Sequence, residues 1–143
     1  VIVLDSYAAL ALLKDEPAAN QVGRLLASED ASLTVLGVAE VLDHLIRLVG
    51  ADEDEAVLDL AQLGLLPPSP VDAPLAIRSG LLRARHYHRK HRAVSLADCV
   101  AAEMARVIDG PLASADPHLL DVCQYEGIQL IALPDTSGQR WSP

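Results

Sequence analysis

Val1-Ile2-Val3-Leu4-Asp5 is a run of four apolar residues, three of them β-branched, that stops on a carboxylate. Such a run reads as a short strand buried on both faces, as in a parallel sheet. Ser6 follows, and then Tyr7-Ala8-Ala9-Leu10-Ala11-Leu12-Leu13, mostly good helix formers. The order is therefore strand, acid, helix. In open parallel sheets ligands bind at the carboxyl ends of the strands, and Asp5 stands at that end of the first one.

The rest of the chain repeats the alternation. Asp15-Glu16-Pro17 reads as the start of a second helix running to about Ser28, and Ser32-Leu33-Thr34-Val35 as a short strand. A helix is predicted from about Gly37 to Val49, with an apolar face of Val38, Val41, Leu42, Leu45, Ile46 and Val49. Asp52-Glu53-Asp54-Glu55 opens another, with acids where the helix dipole favours them. The proline-rich Gly64–Val71 reads as a break with at most an edge strand. Helices follow at about Asp72–Arg89 and Ser95–Ile108, then a strand at Leu112–Ser114. A helix from Asp116-Pro117 to Gly127 and a last strand at Ile128–Leu133 complete the series. Strands alternating with helices predict an α/β fold around a parallel sheet. With 143 residues and no linker or repeat, the expectation is one domain over 1–143.

Hydrophobic residues make up 51% of the chain but aromatics only 3%, with no Phe, so the core must be aliphatic. No apolar run approaches a membrane span, and the first charge is acidic Asp5, unlike a basic leader. Cys99 and Cys123 fall in helical segments, far from any zinc-ligand spacing. A cytoplasmic protein with two buried thiols is expected, without a membrane partner.

The net charge of −9 argues at first against a nucleic-acid partner, but its distribution decides more. Between Ala73 and Ala97 there is no Asp or Glu. Arg78, Arg83, Arg85, Arg89, Lys90 and Arg92 make this stretch +6, which leaves the remainder at −15. A solvated face accounts for such a run. A path that draws a phosphate backbone toward Asp98 also accounts for it, with Arg78, Arg85, Arg89 and Arg92 on one sector if the helix persists that far. His86, His88 and His91 lack metal-site spacing, and His118 reads as a surface residue.

Four acids stand at equivalent places. Asp5 and Asp116 follow strands, while Glu40 and Asp98 lie near the starts of helices. Each has an ordinary structural account. Asp5 and Asp116 fit as helix N-caps, Glu40 as a solvated residue, and Asp98 as the far end of a Ser95-x-x-Asp98 capping box. Taken together they converge on one sheet edge, and Asp98 shares a helix face with Ala101, Ala102 and Ala105, which suits a close approach in a cleft. Two carboxylates 4 Å apart repel by about 4 kcal/mol at an effective dielectric of about 20. Such a cluster must take up protons or hold a hard cation. Mg²⁺ or Mn²⁺ suits an all-oxygen site, and the chemistry that follows is metal-assisted attack of water on a phosphodiester.

These motifs resemble those of PIN-domain nucleases, and among them the VapC-type toxins of toxin–antitoxin pairs. The matching segments are Val3-Leu4-Asp5-Ser6, Ala39-Glu40-Val41-Leu42, Ser95-Leu96-Ala97-Asp98 and Ser114-Ala115-Asp116-Pro117-His118-Leu119, with Glu126-Gly127-Ile128 and Leu133-Pro134-Asp135 behind them. The resemblance implies a three-layer fold, with a central parallel sheet of four or five strands between helices. It implies Asp5, Glu40, Asp98 and Asp116 around Mg²⁺ or Mn²⁺, with Ser6, Ser114 and Asp121 as candidate outer ligands. It further implies endoribonuclease activity, a homodimer, and a small VapB-type antitoxin that blocks the site. The position before the last acid is often Thr in that family and is Ser114-Ala115 here. A housekeeping RNA-processing nuclease or a non-catalytic PIN module would share the fold. A haloacid-dehalogenase-type phosphatase also begins strand-Asp, but it needs a second Asp where this chain has Tyr7.

Overall fold

The computed structural model describes residues 1–143. Four short parallel strands form the sheet: β1 (Ile2–Leu4), β2 (Ala31–Ser32), β3 (Leu112–Ser114) and β4 (Leu130–Ala132), in the order β2-β1-β3-β4. The registers are Ile2 opposite Ala31, Val3 opposite Leu112, and Ala113 opposite Ile131. β1 is buried on both faces, as its unbroken apolar run requires. Ile2 and Leu4 face one core with Ala8, Leu33, Val41 and Leu133. Val3 faces the other with Val100, Leu112 and Leu119.

Seven α-helices cover the two faces: α1 (Ser6–Leu13), α2 (Ala19–Ser28), α3 (Val35–Asp43), α4 (Glu53–Ala61), α5 (Ala73–His86), α6 (Leu96–Ile108) and α7 (Pro117–Glu126). The core on the Ile2 side is built from α1 to α4, that on the Val3 side from α5 to α7. The three-layer α/β arrangement expected from the sequence is therefore present, with four strands. Cys99 and Cys123 are free and buried, and burial pushes both thiols up to about 12. No helix is long and apolar enough to cross a membrane.

Several boundaries differ from the sequence expectations. α2 begins at Ala19, two residues after Pro17, because Asp15 takes a positive φ of 54° and turns the chain before the helix starts. The expected strand Ser32–Val35 shifts to Ala31–Ser32. Thr34 caps α3 by accepting from the Gly37 amide at 3.0 Å and makes a single parallel bridge to Ser69, while the Leu66 amide donates to the Ala31 carbonyl of β2 at 2.9 Å; the 64–71 segment forms no strand of its own. α3 starts at Val35, ahead of Gly37, and passes at its end into a π-helical turn, His44–Leu48. α5 stops at His86, short of Arg89. Tyr87 leaves the helix, and His88 and Arg92 close a tight antiparallel hairpin. Gly110 is required where the chain returns to the sheet, since a Cβ there would run into the Val1 carbonyl.

Candidate active site

Parallel pairing of β1 with β3 carries Asp5 and Asp116 out of the same edge of the sheet. The N-terminus of α6 brings Asp98 there. A narrow cleft lined by Asp5, Ser6, Thr34, Glu40 and Asp98, floored by Leu4, Ala97 and Ala101, has a free volume of about 10 Å³, the size of one water. The alanine strip beneath Asp98 thus serves the close approach that its sequence suggested.

Each Asp also performs the capping that its bland reading required. Asp5 Oδ1 accepts from the Ala8 amide at 2.8 Å, and Asp116 Oδ1 from the His118 amide at 2.9 Å. Asp98 and Ser95 complete the reciprocal capping box at 3.0 Å in both directions. Capping and a site role are compatible, because each capping bond engages one carboxylate oxygen only.

The electrostatics separate these acids from ordinary caps. Burial raises the pKa of the Asp5 carboxyl to about 7. The Ser114 hydroxyl and the Ala8 amide oppose this by hydrogen bonding, while the charges of Asp98 and Asp116 add to it. Burial also raises Asp98, and Asp116 pushes in the same direction against the capping bonds of Ser95. Glu40 is the most exposed of the set. Partial burial and the Asp98 charge raise it, and the Ser6 hydroxyl lowers it. No cation stands beside Asp5 to compensate its charge.

The four acids are neighbours without forming a closed knot. Asp5, Glu40 and Asp98 line the cleft, whereas Asp116 lies outside its lining and acts on Asp5 and Asp98 through charge. No group of three or more His, Cys, Asp or Glu side chains stands close enough together to enclose a metal ion. Asp5, Asp98 and Asp116 are each tied by a capping bond to the start of a different helix. The donor set itself, all oxygen around a space the size of one water, is of the kind that suits a hard divalent cation and not zinc.

The remaining expected residues are distributed more widely. Ser114 is fully buried, and its hydroxyl oxygen accepts from the Asp116 amide at 3.0 Å. Asp121 accepts from the Trp141 indole at 2.7 Å and so ties down the C-terminal tail. The basic stretch does not lie on one helical sector, because α5 ends at His86. Arg78 faces buried Glu103 at 3.9 Å, Arg85 faces Glu126 at 3.3 Å, and Arg92 reaches His86 at 2.7 Å. Arg89 is on the exposed tip of the hairpin. One polar cleft residue escaped the sequence reading. Thr34 lines the cleft as the cap of α3, and its signal was the same strand-then-helix junction that marks Asp5. His118, read from the sequence as a surface residue, reaches across to the hairpin with its side chain, outside the cleft lining.

The PIN domain profile matches residues 2–125. No protein of curated function matches the chain at the sequence level. Among solved structures, FitAcB from Neisseria gonorrhoeae is similar at 19% identity over 92% of this chain and 96% of its own, with a TM-score of 0.67. VapC20 of Mycobacterium tuberculosis, a toxin that cleaves the sarcin–ricin loop, is similar at 19% identity over 85% and 94%, with a TM-score of 0.69. VapBC2 of Rickettsia felis, solved on a fragment of its promoter DNA, is similar at 15% identity over 91% and 96%, with a TM-score of 0.67. At these identities the likeness is one of fold, and the profile match carries the assignment: the chain belongs to the PIN-domain family.

Proposed function

We propose that this protein is a Mg²⁺- or Mn²⁺-dependent endoribonuclease of the VapC type, the toxin half of a toxin–antitoxin pair acting in the cytoplasm. The observation that carries the reading is the Asp5 carboxyl, buried without a counter-charge and pressed by Asp98 and Asp116. A fold does not by itself imply a function, but an uncompensated acid cluster at the carboxyl edge of a parallel sheet needs a cation to be useful. Asp5, Asp98 and Asp116, with Glu40 at the mouth, would hold it through the oxygens that capping leaves free. The bound ion would act as a Lewis acid toward the phosphate and lower the pKa of a water. Asp5 and Asp98 would present their carboxylates from the cleft lining, their side chains held by the caps of α1 and α6. Glu40, which takes a hydrogen bond from Ser6, would orient a water at the mouth.

The fold likeness to FitAcB, VapC20 and VapBC2 supports the toxin reading. An acidic cleft would accept a basic antitoxin side chain in place of the cation. Leu48, Val49, Val57 and Leu58, each exposed by half or more, supply an apolar surface for a homodimer. The test is cleavage of single-stranded and structured RNA by the purified protein with Mg²⁺, with Mn²⁺ and with excess chelator. Cleavage is expected only with the ions, and cleavage that survives the chelator overturns the reading.

A further inference from the structure

The hairpin that interrupts the basic stretch is held at both ends. His88 and Arg92 exchange backbone hydrogen bonds of 3.1 and 2.9 Å. Inside the turn, His88 Nδ1 accepts from the amides of Lys90 and His91 at 3.1 and 3.3 Å, and the His88 and His91 rings stack 4.7 Å apart. On the α5 side Arg92 is tied to buried His86. On the other side His118 Nδ1 lies 3.0 Å from the His91 carbonyl. A carbonyl only accepts, so Nδ1 carries the hydrogen. The backbone amide of the same residue donates to Asp116 Oδ1 at 2.9 Å. One residue therefore touches the hairpin with its ring and a candidate site acid with its backbone.

We propose that His118 is a positioning residue, a latch that holds the Arg89–Lys90 tip beside the acidic cleft so that these two cations engage the phosphates of a single-stranded RNA. This rests on the ribonuclease reading of the cleft. Arg78, Arg83, Arg85 and Arg92 are engaged within the protein: Arg83 donates to the Val94 carbonyl at 2.9 Å, and the others pair as described above. Arg89 and Lys90 are left exposed on the turn. Outside the basic stretch the chain is net −15, so a polyanion finds its attractive contact at this tip. A tip pinned at both ends loses less conformational freedom when it binds, which is how a latch would act on affinity. The ring donates from Nδ1 in either protonation state, so the latch does not depend on its titration.

The reach of the replacement side chain supplies the test. The amide nitrogen of Asn falls near the position of His Nδ1, and that of Gln falls farther out, near Nε2. His118→Asn should keep the bond, while His118→Gln and His118→Ala should lose it. Three readouts are needed: amide hydrogen exchange across residues 87–92, binding of a labelled single-stranded oligoribonucleotide in chelator, and cleavage kinetics with Mg²⁺. In the Gln and Ala variants, exchange should quicken, and Kd and KM should rise about threefold to tenfold with kcat little changed, the scale of one lost hydrogen bond. The Asn variant should match the parent. Adding Arg89→Ala and Lys90→Ala to His118→Gln should cost less than those two changes cost the parent, because the tip is already misplaced. Identical behaviour of Asn and Gln, or a fall in kcat at constant KM, overturns the latch. Asp98→Asn separates the two ideas. If the parent cleaves, Asp98→Asn does not, and His118→Gln behaves as the parent, the latch falls and the nuclease reading stands. A parent that neither binds nor cleaves the RNA overturns both.

Discussion

Arg92 Nη1 lies 2.7 Å from Nδ1 of His86, at the base of the hairpin that follows α5. Arginine has no acceptor, so Nδ1 of His86 must be bare and its hydrogen must sit on Nε2. Nε2 is 2.6 Å from Glu126 Oε2 and donates to it. Burial opposes the charge of Glu126, but the bonds from His86 and Arg106, with Arg85 close by, hold its carboxyl below the usual range. Glu126 thus gathers α5, α6, α7 and the hairpin into one polar junction.

A division of labour among the arginines follows. Arg92→Ala removes a partner of a buried imidazole and should destabilise the protein by about 1–3 kcal/mol. Arg89→Ala should leave the melting temperature within error. RNA affinity should respond in the opposite order when each variant is measured well below its melting point. Loss of Arg89 should flatten the salt slope by about 0.7 if it holds one single-strand phosphate. An unchanged slope for Arg89→Ala would make the tip a solvated turn.

Asp5 sets a pH dependence for the metal-free protein. Its pKa rises on folding from the ordinary carboxyl range to about 7. The folded state therefore holds this proton more tightly than the unfolded chain. The associated stability is complete below the unfolded value and is lost as pH rises through about 7. Asp5→Asn, which keeps the cap acceptor for Ala8, should melt higher than the parent at pH 8 and equal to it near pH 4. Thermal melts in chelator across that range check this, and a parent whose stability rises from pH 4 to pH 8 while Asp5→Asn does the same would contradict it. Magnesium should raise the melting temperature of the parent and not of Asp5→Asn.

What was legible in the sequence and what was not divide along physical lines. Ile2, Val3 and Leu4 announced a buried parallel strand because only burial on both faces allows such a run. Ser95 and Asp98 announced a helix start because capping is local chemistry. The end of α5 was not legible, since Tyr87 leaves the helix for contacts made far away in sequence, by His86 to Glu126 and by His91 to His118. The same holds for the basic residues. Their charge is visible in the sequence, but their partners Glu103 and Glu126 are not. The expectation of one sector for Arg78, Arg85, Arg89 and Arg92 depended on a helix that instead ends at His86, where Glu126 pairs with it.

Asp98 offers a clean separation of structure from chemistry. Its Oδ2 accepts from the Ser95 amide at 3.0 Å, a bond that an Asn oxygen can also make. Asp98→Asn should keep α6 and the melting temperature, while RNA cleavage falls by orders of magnitude through loss of a charge facing the cleft. Asp98→Ala should lose both, with a cap cost of about 1 kcal/mol. Full activity in Asp98→Asn would return this residue to its capping role alone.

Self-association is expected to use the face formed by the end of α3, its π-helical turn and α4. Leu48 ends the widened turn, where the backbone departs from the α-helical path, Val49 follows it, and Val57 and Leu58 lie on the adjoining helix. All four are exposed by half or more, in a chain with no Phe to fill its core and every reason to bury Leu and Val. Apolar surface of this kind gains about 25 cal/mol per Å² on burial, and a stable interface removes about 1,000 Å² or more from water. Leu48→Asp and Leu58→Asp place charges on that face without disturbing the core, so each should shift the protein toward monomer with little change in melting temperature at low concentration. Sedimentation of the parent and of both variants at tens of micromolar measures it. A parent already monomeric there, or a dimer indifferent to both substitutions, would move the interface elsewhere, with Ile77 and Leu81 on the exposed side of α5 as the next apolar pair to test.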